Sequence, residues 1–207
     1  MAVWKLGPAL ATGNTIVLKP ASDTPLNALE LARIVDQVGF PPGVVNIISG
    51  PGSAIGEVLT TSPLVDKIAF TGSTEVGRDI MAKAAATLKK LTLECGGKSA
   101  NIVLHDANWD IAIDGSIFAS FYHQGQVCES GTRLLLPKDH HDEFVAEMVH
   151  KLKSLPMGDP LDPETKVGPV VSERQMQSVL DYIEIGKREG AVLACGGERA
   201  TDGDLAN

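Results

Sequence analysis

Apolar residues along this chain fall into short runs and helically spaced stripes that alternate with Gly- and Pro-rich breaks. Thr15-Ile16-Val17-Leu18 reads as a buried strand within Asn14–Lys19, and no element is assigned ahead of it. Ala28, Leu31, Ala32, Val35 and Val38 then repeat at helical spacing, with Thr24 suited to cap that helix and Pro25 to its first turn. Gly39 and Pro41-Pro42-Gly43 stop it. Val44–Ile48 is a second strand, and Gly50-Pro51-Gly52 turns it into a short helix ending near Pro63. Lys67–Phe70 is a third strand, followed by a helix with Val76, Ile80, Ala84 and Leu88 on one stripe. Leu91–Cys95 is a fourth strand, closed by Gly96-Gly97.

Beyond Gly97 the alternation continues with longer elements. The pattern predicts a strand at Asn101–Leu104 and a helix over about Asn108–Tyr122, carrying Ala112, Phe118, Ala119 and Tyr122. A strand at Arg133–Leu136 precedes a helix marked by Phe144, Val145, Met148 and Leu152 and closed by Pro156. Met176, Val179, Leu180 and Ile183 mark a further helix, and Ala191–Ala194 reads as a last strand before turn-like Thr201–Asn207. Strands alternating with helices through short turns indicate parallel β-α-β units, so the expected class is α/β. Residues 1–96 read as a nucleotide-binding type of sheet and residues 97–207 as a second domain.

Composition narrows the field. The chain has 207 residues and a net charge of −8, which leaves no basic face for nucleic acid. No apolar run approaches the roughly 20 residues of a membrane span. Met1–Pro8 lacks the apolar core of a signal peptide. Three cysteines without a C-x-x-C pair fit reduced thiols and a cytoplasmic setting better than a disulfide framework. The five histidines show no ligand spacing with the cysteines, so no metal is expected, and His140-His141 reads as a solvated helix start.

Three segments carry candidate chemistry. Phe70-Thr71-Gly72-Ser73-Thr74-Glu75-Val76-Gly77 joins a strand to a helix, where small residues and free N–H groups suit an anion such as a pyrophosphate. It is not the G-x-G-x-x-G fingerprint, and a plain tight turn reads the same way. Gln124-Gly125-Gln126-Val127-Cys128 places a cysteine after a Gly-containing break, where a thiol is exposed or else buried and inert. Glu94 ends an apolar strand, either as a partly buried base or as a solvated strand end.

Taken in order and spacing, these segments resemble the aldehyde dehydrogenase superfamily, as do Leu93-Glu94-Cys95-Gly96-Gly97-Lys98-Ser99, Trp4-Lys5-Leu6-Gly7-Pro8 through Thr15, and Lys19-Pro20-Ala21-Ser22-Asp23-Thr24-Pro25. The resemblance runs the length of the chain. It implies a parallel Rossmann-like sheet from the cofactor domain (1–96), followed by part of the α/β catalytic domain (97–207), truncated at both ends. It further implies an oxidoreductase turning an aldehyde into a carboxylic acid with NAD or NADP. Cys128 would be the nucleophile, with its own N–H as an oxyanion donor, and Glu94 the base for the deacylating water. Lys5 would belong to the proton path. Lys19 and Ser22 would face the adenosine ribose, and Gly72 and Ser73 the pyrophosphate. Gly52, Gly56 and Val76 would wall the adenine, the Cys95 carbonyl would hold the carboxamide, and Gly96 would mark the passage between domains. Trp4, Tyr122, Val127 and Glu129 would line the substrate tunnel.

One departure bears on the cofactor. Ser22 stands where NAD-preferring members often carry a glutamate, so repulsion of a 2′-phosphate is absent and NADP is tolerated. The glutamate at position 94 favours hydrolysis over a CoA-acylating branch. The family's Pro-Trp-Asn and Glu-x-Phe-Gly-Pro segments fall outside the chain. The expectation is therefore a fragment with little activity of its own, or a non-catalytic remnant, since one lost oxyanion donor costs about 10²–10³ in rate. Full-length members are homodimers or homotetramers.

Overall fold

The computed structural model describes residues 1–201 and 205. The chain divides into two compact units, Met1–Cys95 and Gly96–Asn207.

The first unit begins with a helix to which no sequence signal had pointed, α1 (Ala2–Ala11). Gly7-Pro8 looks like a break, yet Leu6 is buried and Ala2, Lys5, Ala9 and Leu10 are half-buried along the same face. That i, i+3, i+4 stripe outweighs the one backbone bond Pro8 cannot make. Two β-α-β units follow. In the first, β1 (Ile16–Leu18) and β2 (Val45–Ile47) pair in parallel, with Leu18 opposite Ile47, across α2 (Leu26–Val38). In the second, β3 (Lys67–Thr71) and β4 (Lys90–Glu94) pair in parallel, with Thr71 opposite Glu94, across α4 (Thr74–Ala84). Helix α3 (Gly52–Thr61) joins the two and meets α4 through a Lys83–Glu57 ion pair.

Local chemistry explains the boundaries. Gly39 ends α2 in the left-handed conformation at φ 78°, which glycine adopts without strain. Ser73 caps α4 by accepting the N–H of Val76 at 3.3 Å. Thr24 does not cap α2. Its N–H closes a turn onto the Ala21 carbonyl, and the helix opens at Pro25, whose carbonyl accepts from Ala28 and Leu29. A residue ahead of proline is held out of the helical region, and here that keeps Thr24 in the preceding turn. The apolar stripe of α4 also differs from the one expected. Gly77, Ile80 and Ala84 are buried, whereas Val76 is exposed and Leu88 sits beyond the helix end at φ 53°, 91% exposed.

In the second unit β5 (Ala100–Ile102) and β6 (Arg133–Leu135) pair in parallel, with Ile102 opposite Leu135. They are joined by α5 (Trp109–Phe121) and followed by α6 (His141–Lys153) and α7 (Glu173–Arg188). Asn108 and Ser172 cap α5 and α7 through their side-chain oxygens. The core is Val103, Ile113 and Phe144, with Trp109, Ala112, Ile117, Leu134, Leu136 and Met148 packed around it. Buried Ser116 is satisfied by donating to the Ala112 carbonyl and accepting from the Asn101 amide, which ties α5 to β5.

The strand expected at Ala191–Ala194 does not form. Ala191 donates back to Gly186 at the end of α7, and no described strand lies alongside the segment, so its backbone has no ladder to join. Likewise the described strands form three parallel pairs rather than one continuous sheet. Of the turn-like tail, residues 202–204, 206 and 207 lie outside the described residues. No helix among the described residues is long and apolar enough to cross a membrane.

Candidate active site

Parallel pairing brings the exits of neighbouring strands side by side, and most of the singled-out residues of the first unit sit at such exits. Lys19 and Ser22 follow β1, while Gly50 and Gly52 follow β2. The two turns touch where the Ser22 hydroxyl donates to the Gly50 carbonyl at 3.4 Å. The Lys19 ammonium is half-buried and donates to the Pro20 carbonyl at 2.6 Å. Gly52 and Gly56 lie on the first turns of α3 with open space where a side chain would be.

At the exit of β3 and β4, Gly72 donates its N–H to the Glu94 carbonyl at 3.1 Å, extending the ladder by one bond. Ser73 then starts α4, with Val76 exposed on its first turn. The Glu75 carboxyl is held below its ordinary range by its own backbone N–H and by the Ser73 hydroxyl. Half-buried Cys95 packs over this helix start, and a Cβ at Gly77 would stand 3.0 Å from its sulfur. Gly77 is thus the residue that lets α4 approach the end of β4. From α1, the Lys5 ammonium reaches Thr71 Oγ1 at 2.9 Å, joining Lys5 to the same strand exit. Glu94 itself is exposed, the solvated end of the strand. Trp4, next to Lys5, is 66% exposed.

In the second unit, Cys128 owes its setting to an unusual turn. Helix α5 ends at Phe121, and the next residues coil left-handed, with φ 54° at His123, 58° at Gln124 and 71° at Gly125. Two consecutive non-glycine residues in that region are strained and persist only where surrounding bonds enforce them. Here the Gln126 backbone and side-chain N–H groups both donate to the His123 carbonyl, and Gln126 Oε1 accepts from Val171. Gln126 is therefore a positioning residue that the motif contained but sequence reasoning did not single out.

Beyond it, Val127 is half-buried, and Cys128 and Glu129 are exposed. The thiol is free, as are those of Cys95 and Cys195. Gly131 donates to the Ala119 carbonyl at 3.1 Å, which anchors the loop before β6. Gly97 lies directly against the Cys128 carbonyl, with Gly96 open beside it. Tyr122 is exposed, its ring stacked on Phe118 at a centroid distance of 4.8 Å. The structure thus gathers Lys5, Gly72, Ser73, Glu94 and Cys95 in the first unit, and Tyr122, Val127, Cys128 and Glu129 along one loop in the second.

The model of the aldehyde dehydrogenase family matches residues 1–207. The chain is 55% identical over 197 residues to DhaS, an aldehyde dehydrogenase relative from Bacillus subtilis (strain 168), spanning 95% of this chain and 40% of that protein. It is 50% identical over 203 residues to the mitochondrial aldehyde dehydrogenase of Homo sapiens, spanning 98% and 39%. The betaine aldehyde dehydrogenase of Staphylococcus aureus, solved in complex with NAD+, superimposes with a TM-score of 0.96 at 38% identity, over 99% of this chain and 41% of that one. The chain therefore belongs to the aldehyde dehydrogenase family and has its α/β fold. It spans about two fifths of the length of these relatives.

Proposed function

We propose that the protein containing these residues oxidises an aldehyde to its carboxylic acid with a nicotinamide dinucleotide, through Cys128. The observation that carries this reading is the exposed free thiol of Cys128, presented by the His123-Gln124-Gly125 turn within a chain of this family. The Cys128 thiolate adds to the aldehyde carbonyl to give a thiohemiacetal, whose oxyanion takes the Cys128 N–H. A bound nicotinamide would supply the hydride acceptor, and loss of hydride from the thiohemiacetal carbon would leave a thioester on Cys128. Glu94 takes a proton from water, the resulting hydroxide attacks the thioester, and the acid departs with the thiol regenerated. Lys5, hydrogen-bonded to Thr71 beside Glu94's strand, moves protons between that base and solvent.

The residues present fit the dinucleotide by the chemistry of their donors. The Lys19 ammonium, the Ser22 and Ser73 hydroxyls and the first turn of α4 all present donors, suited to ribose and phosphate oxygens. Gly52 and Gly56 leave a flat open face on α3 for an adenine ring, with Val76 exposed as a second apolar wall. The Cys95 carbonyl would take the carboxamide, and Gly96 the passage between the domains 1–96 and 97–207. Neutral Ser22 admits NADP beside NAD, so Ser22→Glu lowers use of NADP relative to NAD. Trp4, Tyr122, Val127 and Glu129 line the aldehyde's approach. Three free thiols fit a reduced, cytoplasmic setting. Assembly as a homodimer or homotetramer, readable by sedimentation, belongs to the same proposal.

The test is aldehyde-dependent formation of NAD(P)H by the purified chain and by the chain completed with the sequence flanking it. Turnover abolished by Cys128→Ala, and an acyl group trapped on Cys128 when Glu94 is replaced by Gln, are the expected results. Turnover that survives Cys128→Ala would sink the reading.

A further inference from the structure

The parallel register of β5 and β6 has a second product at the end away from Cys128. Cys128 lies on the loop that enters β6, whereas His105 follows the exit of β5 by three residues and Asp139-His140 follow the exit of β6 by four and five. Ile102 and Leu135 are partners in the ladder, so the two turns leave the sheet side by side. They bring two imidazoles around one carboxylate. His105 Nε2 lies 3.3 Å from one Asp139 oxygen and His140 Nε2 lies 4.0 Å from the other. One ligand atom from each of the three residues falls within 4.8 Å of the others.

We propose that His105, Asp139 and His140 form a surface site for a divalent transition-metal ion, zinc being its natural size and donor match. Two imidazole nitrogens and one carboxylate oxygen are a donor set that zinc, copper and nickel favour and that magnesium and calcium do not. Zinc bonds of about 2.0–2.2 Å in a tetrahedron set donor atoms roughly 3.3 Å apart, the separation already present between His105 and Asp139. Bringing His140 into the same shell needs rotation of the Asp139 and His105 side chains, which are 66% and 70% exposed.

The rest of the cluster is held in place. The His140 ring stands edge-on to Trp109 at 5.4 Å between centroids, and Trp109 packs in turn on buried Phe144 at 5.1 Å. Trp109 is itself oriented by donating its indole N–H to Glu147 at 2.6 Å. Three protein ligands leave a fourth position for water. The site faces solvent, so it fits a modest-affinity regulatory or stabilising ion rather than a deeply buried structural one.

The test titrates the purified chain with zinc ion alone near neutral pH, in competition with a chromophoric chelator, and records the zinc X-ray absorption spectrum. The proposal expects one equivalent bound through nitrogen and oxygen only. Affinity falls tenfold or more in His105→Ala and Asp139→Asn and is unchanged in His150→Ala. His140→Ala should weaken binding too, but His105 and Asp139 are exposed, so their variants decide the matter even if loss of His140 disturbs the packing on Trp109. No binding, a zinc–sulfur shell from the cysteines, or undiminished affinity in both His105→Ala and Asp139→Asn would overturn it.

Discussion

Gly97 and Cys128, thirty-one positions apart in the sequence, meet backbone to backbone: a Cβ on Gly97 would stand 2.6 Å from the Cys128 carbonyl oxygen. No side chain tolerates that approach, and the atom in the way is main chain, which cannot rotate aside. Gly97→Ala must push the Cys128 loop away. The expected cost is about 1–3 kcal/mol in urea unfolding, typical of overpacking against backbone. The rate of Cys128 alkylation by iodoacetamide should change with it. An alanine variant as stable and as reactive as the parent would show that the loop is not seated on Gly97.

The Lys5–Thr71 hydrogen bond spans sixty-six positions and is half-buried. Lys5→Met should cost about 1 kcal/mol of stability, the usual net worth of such a bond. In a double-mutant cycle with Thr71→Val the two losses should not add, because either change removes the same bond. Strict additivity would mean that the bond contributes nothing in solution.

The left-handed turn before the cysteine makes a prediction about side-chain shape. A β-branched residue is poorly tolerated at positive φ, whereas asparagine visits that region readily. Gln124→Val should therefore lose about 1–2 kcal/mol, while Gln124→Asn stays close to the parent. Equal stabilities for the two variants would place Gln124 in an ordinary backbone conformation.

Glu75 sets a sign for the acid limb. Its own N–H, then the Ser73 hydroxyl, lower its carboxyl below the ordinary 4.5 in the folded chain. A depressed value means that the contribution is fully present above the unfolded value and disappears as pH falls through the folded one. Glu75→Gln should flatten the fall in stability below about pH 4.5 and leave the profile near neutrality parallel to the parent's. Superimposable acid limbs would rule out a role for Glu75 in starting α4.

Much of the fold was legible along the chain because it is written in local terms. Strand runs such as Ile16–Leu18 and Lys67–Thr71, the Gly39 stop of α2 and the Ser73 turn each depend on neighbours within a few residues. Other features left no local mark. Nothing along the chain signals α1, since only burial of Leu6 shows that packing overrides the donor Pro8 lacks. Leu88 was read onto a helical stripe that ends at Ala84, because periodicity cannot reveal a left-handed residue.

The sequence by itself determined the family, the alternation of strands and helices, and which residue types stand ready for chemistry: the Cys128 thiol, the Glu94 carboxylate and the Lys19 ammonium. Only tertiary structure decided their company. Contacts such as Lys5 on Thr71, Gly97 beneath Cys128 and His105 beside Asp139 join positions 31 to 66 residues apart. Such pairs arise from strand register and helix packing, and spacing along the chain carries no record of them. That is why the histidines, judged by their distance in sequence from the cysteines, looked unrelated. The parallel pairing of β5 with β6 gathers two of them around one carboxylate.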